Sequence, residues 1–207
     1  MGEAPVERGA VLAWRRARRA ELIAARTALS AADHHRASHA LGERLGRHFM
    51  HLGGGTVGFY WPFRREFNPL PFVRRLIAAG GRAALPVVVA KDQPLQFRPW
   101  HPETPMALGV YDIPYPAEGE TVTPDALLVA LVGFDEAGYR LGYGGGYYDR
   151  TIAACSPRPL AIGIGFELGR LATIHPLPHD IPMEFVATEA ALRRRRDGRL
   201  EPVPEQA

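Results

Sequence analysis

The run Leu127–Phe134 constrains the fold most, because LLVALVGF is unbroken apolar sequence of strand length that leads straight into a glycine block. A strand without alternation is covered on both faces, the pattern of a parallel sheet between helices. The rest of the chain agrees. Residues 11–29 are rich in helix formers, with Leu22, Ile23 and Leu29 as apolar positions. Ser30 ends that segment and can cap the next, with Asp33 three residues on. The second helix places Leu41, Leu45, Phe49 and Leu52 on one stripe, and Gly53-Gly54-Gly55 stops it. Thr56–Tyr60 reads as a buried strand. Asn68-Pro69 opens a third helix with Leu70, Val73, Leu76 and Ile77 inward and Gly80-Gly81 as its stop. Ala83–Val89, Leu95–Arg98, Leu160–Phe166 and Glu184–Thr188 read as strands, and Tyr147–Ala154 as a helix. Strands separated by helices predict an α/β fold, a three-layer α/β/α arrangement with a mainly parallel sheet. One domain over 1–192 is expected, followed by a charged tail over 193–207 that reads as frayed and mobile.

Ligands of open α/β sheets bind beyond the carboxyl ends of the strands. There, Gly142, Gly144, Gly145 and Gly146 stand beside Arg140, Leu141, Tyr143, Tyr147, Tyr148 and Asp149. Glycines let backbone N–H groups approach an anion, and the following helix adds unpaired N–H groups and its positive dipole end. Arg140 supplies a fixed charge, and the tyrosines supply flat faces with hydroxyls. Asp149 facing a polyphosphate needs a cation between them, and magnesium suits a carboxylate plus phosphate oxygens. The segment is neither a GxGxxG fingerprint nor a P-loop. A turn whose tyrosines merely pack is the plainer alternative; four glycines flanked by charge at a strand–helix junction favour phosphate binding.

Composition narrows the classes. The chain is 46% apolar and 23% charged, which excludes wholesale disorder. No apolar run reaches the ~20 residues of a membrane span. The N-terminus has no apolar core like that of a secretory signal, and Val6 breaks the myristoylation pattern after Met-Gly, so a cytoplasmic protein is expected. Cys155, the single cysteine, permits no internal disulfide and reads as a packing residue. Net charge is only +3, yet Lys91 is the sole lysine, so the positive charge is almost all arginine. A GC-rich genome produces the same bias.

The block GFDEAGYRLGYGGGYYDR (Gly133–Arg150) resembles the signature of the 5-formyltetrahydrofolate cyclo-ligase family. The resemblance extends over roughly Trp14–Thr188 and includes the basic helix Arg15–Arg19, TVGFYWPFRREF, and Pro178-His179-Asp180. It implies a fold related to the sugar-phosphate isomerase and CoA-transferase group. It also implies ATP- and Mg2+-dependent cyclisation of 5-formyltetrahydrofolate, with or without a polyglutamate tail, to 5,10-methenyltetrahydrofolate, ADP and phosphate. A monomer is the expected state.

By the same resemblance, Arg15, Arg19, Arg140 and the block Leu141–Tyr148 contact ATP, with Arg140 and Tyr147 in catalytic positions. Trp61, Glu66 and Tyr147 face the folate, and Asp149 and Asp180 hold the metal. Arg15 stands where the family has lysine, and Tyr115 where glutamate is common. A carboxylate such as Glu66 can accept two hydrogen bonds from an amino-pyrimidinone edge. Each position has a plainer reading: Arg15 and Arg19 on a solvated helix face, Trp61 in the core, Glu66 as a loop acid beside Arg64 and Arg65, and Asp180 in a proline-rich turn. His179 reads as a polar loop residue and Asp135 as a turn cap. Two other functions fit the sequence less well. One is a non-catalytic nucleotide- or folate-binding regulator on the same fold. The other is nucleic-acid binding through Arg15–Arg19 and Arg193–Arg196, which no nucleic-acid motif accompanies.

Overall fold

The computed structural model describes residues 7–204, so the start of the N-terminal leader reading and the end of the tail lie outside it. In chain order the helices are α1 (Arg8–Ala28), α2 (Ala31–Phe49), α3 (Leu70–Ala78) and α4 (Tyr147–Ala154). The first strands are β1 (Thr56–Gly58), β2 (Arg82–Val87), β3 (Gln96–Trp100), β4 (Met106–Leu108), β5 (Pro114–Pro116) and β6 (Ala126–Ala130). They are followed by β7 (Gly133–Asp135), β8 (Arg140–Leu141), β9 (Leu160–Ile164), β10 (Arg170–Leu171), β11 (Phe185–Ala187), β12 (Leu192–Arg196) and β13 (Arg199–Pro202).

Eight strands form the main sheet in the order β13-β12-β11-β9-β6-β1-β2-β3. Its centre, from β11 to β2, is parallel, and β3, β12 and β13 are antiparallel edges. Alternate residues of the central strands feed opposite faces. Leu128 and Ile162 pack with Leu41, Leu45 and Phe49 of α2 and with Phe72, Val73 and Leu76 of α3. Leu127, Val129 and Ala161 pack on the other face with Ile152 of α4. The mixed α/β class and mainly parallel sheet are as the sequence predicts.

The caps are also as read. Ser30 Oγ accepts the Asp33 N–H at 3.0 Å, and Asn68 Oδ1 accepts the Leu70 N–H at 3.1 Å. Gly80, at φ +92°, makes the turn that ends α3.

Two expectations need correction. Leu127–Phe134 is not one strand: β6 ends at Ala130, and β7 belongs to a second, three-stranded sheet ordered β10-β7-β8. The separation is what frees β7 and β8 to form the hairpin that carries Arg140. Over its described part, residues 193–204, the tail is largely strand rather than frayed. β12 and β13 extend the main sheet as a hairpin, with Leu192 4% exposed. Three of its arginines bond other segments of the chain: Arg193 to Glu167, Arg194 to Glu184 at the surface, and Arg195 to the Ala137 carbonyl. A like-charged run thus becomes ordered by acids and carbonyls distant in sequence, which removes much of the motive for a nucleic-acid surface there.

Candidate functional site

The β7–β8 hairpin is built by Asp135. Its Oδ1 accepts the N–H groups of Ala137 and Tyr139 at 3.0 Å, and its Oδ2 accepts Ile174 N–H at 3.1 Å. The carboxylate is 1% exposed, so it works as the structural turn cap the sequence suggested. Opposite Phe134 in the hairpin stands Arg140, and the chain then enters the glycine loop 142–146 before α4.

Two glycines of this loop have no L-residue substitute without strain: Gly144 at φ +99° and Gly146 at φ +63°. Arginines hold the loop by its carbonyls. Arg19 Nε donates to Gly142 O at 2.5 Å, and Arg150 Nη2 to Gly145 O at 2.5 Å. Among the described residues, the backbone N–H groups of Gly144, Gly145 and Gly146 donate to no protein acceptor. Carbonyls turned toward arginines and N–H groups left open at a helix N-terminus form an anion cradle.

The charged residues around the cradle are interlocked. Arg140 Nη2 donates to Asp149 Oδ2 at 2.8 Å, and the Arg140 Cζ lies 5.6 Å from the centre of the Tyr148 ring, while Ile181 N–H donates to Asp149 Oδ1 at 3.1 Å. One residue away, Asp180 accepts Arg15 Nη2 at 2.5 Å and Leu177 N–H at 2.6 Å. Arg15 is completed by the carbonyls of Ile174 and His175. Burial pushes the Asp180 carboxyl up, but the Arg15 and Leu177 hydrogen bonds, with the Arg15 and His179 charges, hold it below the ordinary aspartate range. Burial, then the charges of Arg15 and Arg16, lower the Arg19 pKa. The arginine-and-aspartate set brought together here is therefore Arg15, Arg19, Arg140, Asp149 and Asp180. The His179 side chain is 61% exposed, 3.9 Å from Asp180.

Tyr147 and Tyr148 diverge at the start of α4. The Tyr147 ring lies under the Arg150 guanidinium at 5.2 Å. The Tyr148 hydroxyl is buried with no partner among the described residues, and burial pushes its pKa up, countered by Arg140 and reinforced by Glu66.

Glu66 is not an exposed loop acid. Arg64 and Arg65 both take left-handed backbone, at φ +47° and +56°, a strained choice for two non-glycine residues. That turn carries Glu66 inward to 6% exposure, closed by reciprocal bonds between Phe63 and Glu66. Trp61 is partly buried against the α2–sheet core. Two further aromatics join Tyr143 here: Phe63 stacks with Tyr111 at 6.1 Å between ring centres and tilts against Tyr143 at 6.1 Å. Tyr111 is 73% exposed at φ +60°. In the sequence it is marked only as an aromatic in the tip between β4 and β5, while Tyr115 packs its ring over Gly109.

The structure is an α/β domain whose glycine loop leaves backbone N–H groups open beside arginines, with the Phe63, Tyr111 and Tyr143 rings in contact near the buried Glu66. A profile of the 5-formyltetrahydrofolate cyclo-ligase family matches residues 11–189. The chain belongs to the 5-formyltetrahydrofolate cyclo-ligase family. It is 34% identical over 149 residues to the 5-formyltetrahydrofolate cyclo-ligase of Mycolicibacterium smegmatis, covering 67% of this chain and 76% of that one. The Escherichia coli K12 protein of the same name is 37% identical over 140 residues, covering 64% and 77%. The structure is also similar to the NMR structure of Aquifex aeolicus 5,10-methenyltetrahydrofolate synthetase, at a TM-score of 0.76 and 26% identity over 93% of this chain and 98% of that one. Among the described residues no helix is long and apolar enough to cross a membrane.

Proposed function

We propose that this chain performs its family's reaction at the glycine loop, cyclising 5-formyltetrahydrofolate to 5,10-methenyltetrahydrofolate at the expense of ATP. The observation that carries this reading is the set of open N–H groups at Gly144–Gly146 beside Arg19 and the Arg140–Asp149 pair. The formyl oxygen is a poor leaving group. Its attack on the γ-phosphorus expels ADP and turns it into a phosphate leaving group, and nitrogen-10 then closes the ring, losing its proton, as phosphate departs. No protein nucleophile is needed, so the residues' work is positioning and charge neutralisation. The loop N–H groups, Arg19 and Arg140 receive the phosphates, Arg15 adds charge from α1, and Tyr147 and Tyr148 close the side toward the substrate. Glu66 accepts the pterin edge, with Trp61, Phe63 and Tyr111 as the aromatic surface around it. The protein acts as a monomer, and its arginines draw in the glutamate tail.

Among the described residues no three His, Cys, Asp or Glu side chains cluster to hold a cation alone. Magnesium needs no such cage where phosphate oxygens complete its shell. The Asp149 oxygens each accept one hydrogen bond and so keep a second lone pair, which fits that role. Asp180 Oδ2 already takes two donors, so Asp180 offers mainly Oδ1 while it orients Arg15. When bound, magnesium neutralises phosphate charge and aligns the transferred group.

The test is turnover of 5-formyltetrahydrofolate with and without ATP and magnesium, followed by absorbance of the methenyl product, in the parent and in Asp149→Ala. The expected result is ATP-dependent turnover that falls about 10²-fold or more in the variant, the scale of losing an electrostatic stabiliser. Absence of turnover in the parent would sink the reading; full activity in the variant would sink the role of Asp149.

A further inference from the structure

In the run Gly142–Gly146 the only side chain is that of Tyr143, so it is the loop's one side-chain handle. Its hydroxyl donates to Glu66 Oε1 at 2.8 Å and accepts from Arg26 Nη2 at 2.8 Å. Arg26 and Glu66 are 3.9 Å apart, and each side chain is 4% exposed. Both are anchored elsewhere. Arg26 donates to the carbonyls of Arg64 and Leu131, and Glu66 Oε2 accepts Phe63 N–H at 2.9 Å. One hydroxyl therefore joins a fixed, buried ion pair to a segment whose other hydrogen bonds, among the described residues, run through its backbone carbonyls.

We propose that Tyr143 is a positioning residue that couples the two ligand sites, linking the order of the glycine loop to the engagement of Glu66. The proposal rests on the reading of Glu66 as the pterin acceptor. Four of the five residues from Gly142 to Gly146 are glycine, the residue that loses most conformational freedom on being fixed. A phosphate seated in the loop fixes Tyr143, whose hydroxyl then holds the Glu66 carboxylate in one orientation. A pterin on Glu66 holds the carboxylate and, through the same bond, the loop. Each ligand bears part of the ordering cost of the other, which is positive linkage and is reciprocal.

A second consequence separates this role from mere packing. Burial pushes the Glu66 carboxyl up, and the Tyr143 hydrogen bond, the Phe63 N–H and the Arg26 charge act against it. The groups facing Glu66 are Arg26 of α1, Tyr60 after β1, Tyr143 of the loop and Tyr148 of α4. Only the Tyr143 hydroxyl disappears in Tyr143→Phe, which keeps the ring against Phe63. The remaining balance raises the Glu66 pKa further.

The experiment measures dissociation constants of a non-hydrolysable ATP analogue with and without saturating 5-formyltetrahydrofolate, for the parent, Tyr143→Phe and Glu66→Gln. The parent is expected to bind the analogue about 5-fold or more tighter when folate is present, within the usual range of coupling. In Tyr143→Phe that ratio falls to within about twofold of unity, and the acidic limb of folate binding moves to higher pH. A parent without coupling, a ratio retained in Tyr143→Phe, or an unmoved acidic limb overturns the proposal. Glu66→Gln separates the two ideas. If it binds folate as the parent does, the pterin reading fails and the proposal with it. If it binds folate weakly while Tyr143→Phe stays coupled, only the proposal fails.

Discussion

Arg15 on α1 and Asp180 near the other end of the chain are 165 residues apart in sequence, yet their side chains meet at 2.5 Å. Their side chains are 9% and 10% exposed. This ion pair ties α1 to the loop after β10 beside the glycine cradle, with the Ile174 and His175 carbonyls taking the other N–H groups of Arg15. A position read in the sequence as a phosphate contact is thus held by one read as a metal ligand.

Asp180→Asn should therefore cost stability that depends on pH. Removing one partner of a largely buried pair leaves the other charge uncompensated, at about 3 kcal/mol. The sign follows from the depressed Asp180 pKa. Its contribution is present above the ordinary carboxylate value of ~4 and is lost as pH falls through the lower native value. Urea unfolding at pH 7 should show the full difference between parent and variant, and at pH 3 a smaller one. A gap that stays constant with pH would contradict the assignment.

Tyr148→Phe should stabilise the ligand-free protein and impair it as an enzyme. A buried hydroxyl with no partner costs about 1 kcal/mol or more, and phenylalanine removes that cost. For a chain of this size 1 kcal/mol raises the thermal midpoint by about 2–4 °C. If the hydroxyl serves the substrate, turnover drops by about tenfold, one hydrogen bond's worth. Calorimetry and the absorbance assay on one sample read both. A variant that is more stable and fully active would release Tyr148 from the site.

How much of this was legible in the chain is clearest residue by residue. The helix starts at Ser30 and Asn68 are written locally, in side chains that bond backbone two or three positions away. The glycine block was legible for the same reason, since φ freedom is a property of the residue itself. The division of Leu127–Phe134 was not. Leu131 and Val132 are 3% and 5% exposed, so the crossing between sheets leaves no polar mark. The order of Arg193–Arg195 depends on Glu167, Glu184 and the Ala137 carbonyl, from other segments. Tyr143 could be read as a ring beside glycines, but its partners Arg26 and Glu66 come together only through α1 and the left-handed turn at Arg64 and Arg65.

Gly144→Ala should damage activity far more than stability. At φ +99° alanine is strained by about 1–3 kcal/mol, and its Cβ would meet the Arg19 guanidinium at 3.4 Å. The loop can relieve that strain by turning, which misplaces the N–H cradle; displacements of about 1 Å cost on the order of 10²-fold in rate. Gly9→Ala is the control, because a Cβ there, at the start of α1, meets nothing within 4 Å. It should leave turnover unchanged and stability equal or slightly higher. The comparison is of turnover and unfolding midpoint across the three proteins. Equal activity in Gly144→Ala would remove the loop geometry from the mechanism.

The last prediction concerns the C-terminal hairpin and where the chain can be cut. Leu192 belongs to the main core, and Arg193 donates to both Glu167 oxygens at 2.7 and 2.8 Å. Burial pushes Glu167 up, yet the hydrogen bonds from Arg193 and Thr188, with the charges of Arg193 and Arg170, hold it below its ordinary range. The hairpin also braces the turn that leads to Arg140, through Leu200 N–H on the Glu136 carbonyl and Arg195 Nε on the Ala137 carbonyl, each at 2.8 Å. Val203 N–H closes on the Leu192 carbonyl at 2.9 Å. A chain ending at Val203 should therefore unfold cooperatively near the parent midpoint and keep its turnover. A chain ending at Ala191 uncovers β11 as an unpaired edge and strips Glu167 of its main partner, so it should aggregate or lose its cooperative transition. Arg193→Ala, which keeps the backbone ladder, should fall between them, destabilised by about 1–3 kcal/mol. A stable, active chain ending at Ala191 would show that the hairpin is an ornament to the sheet and not part of its fold.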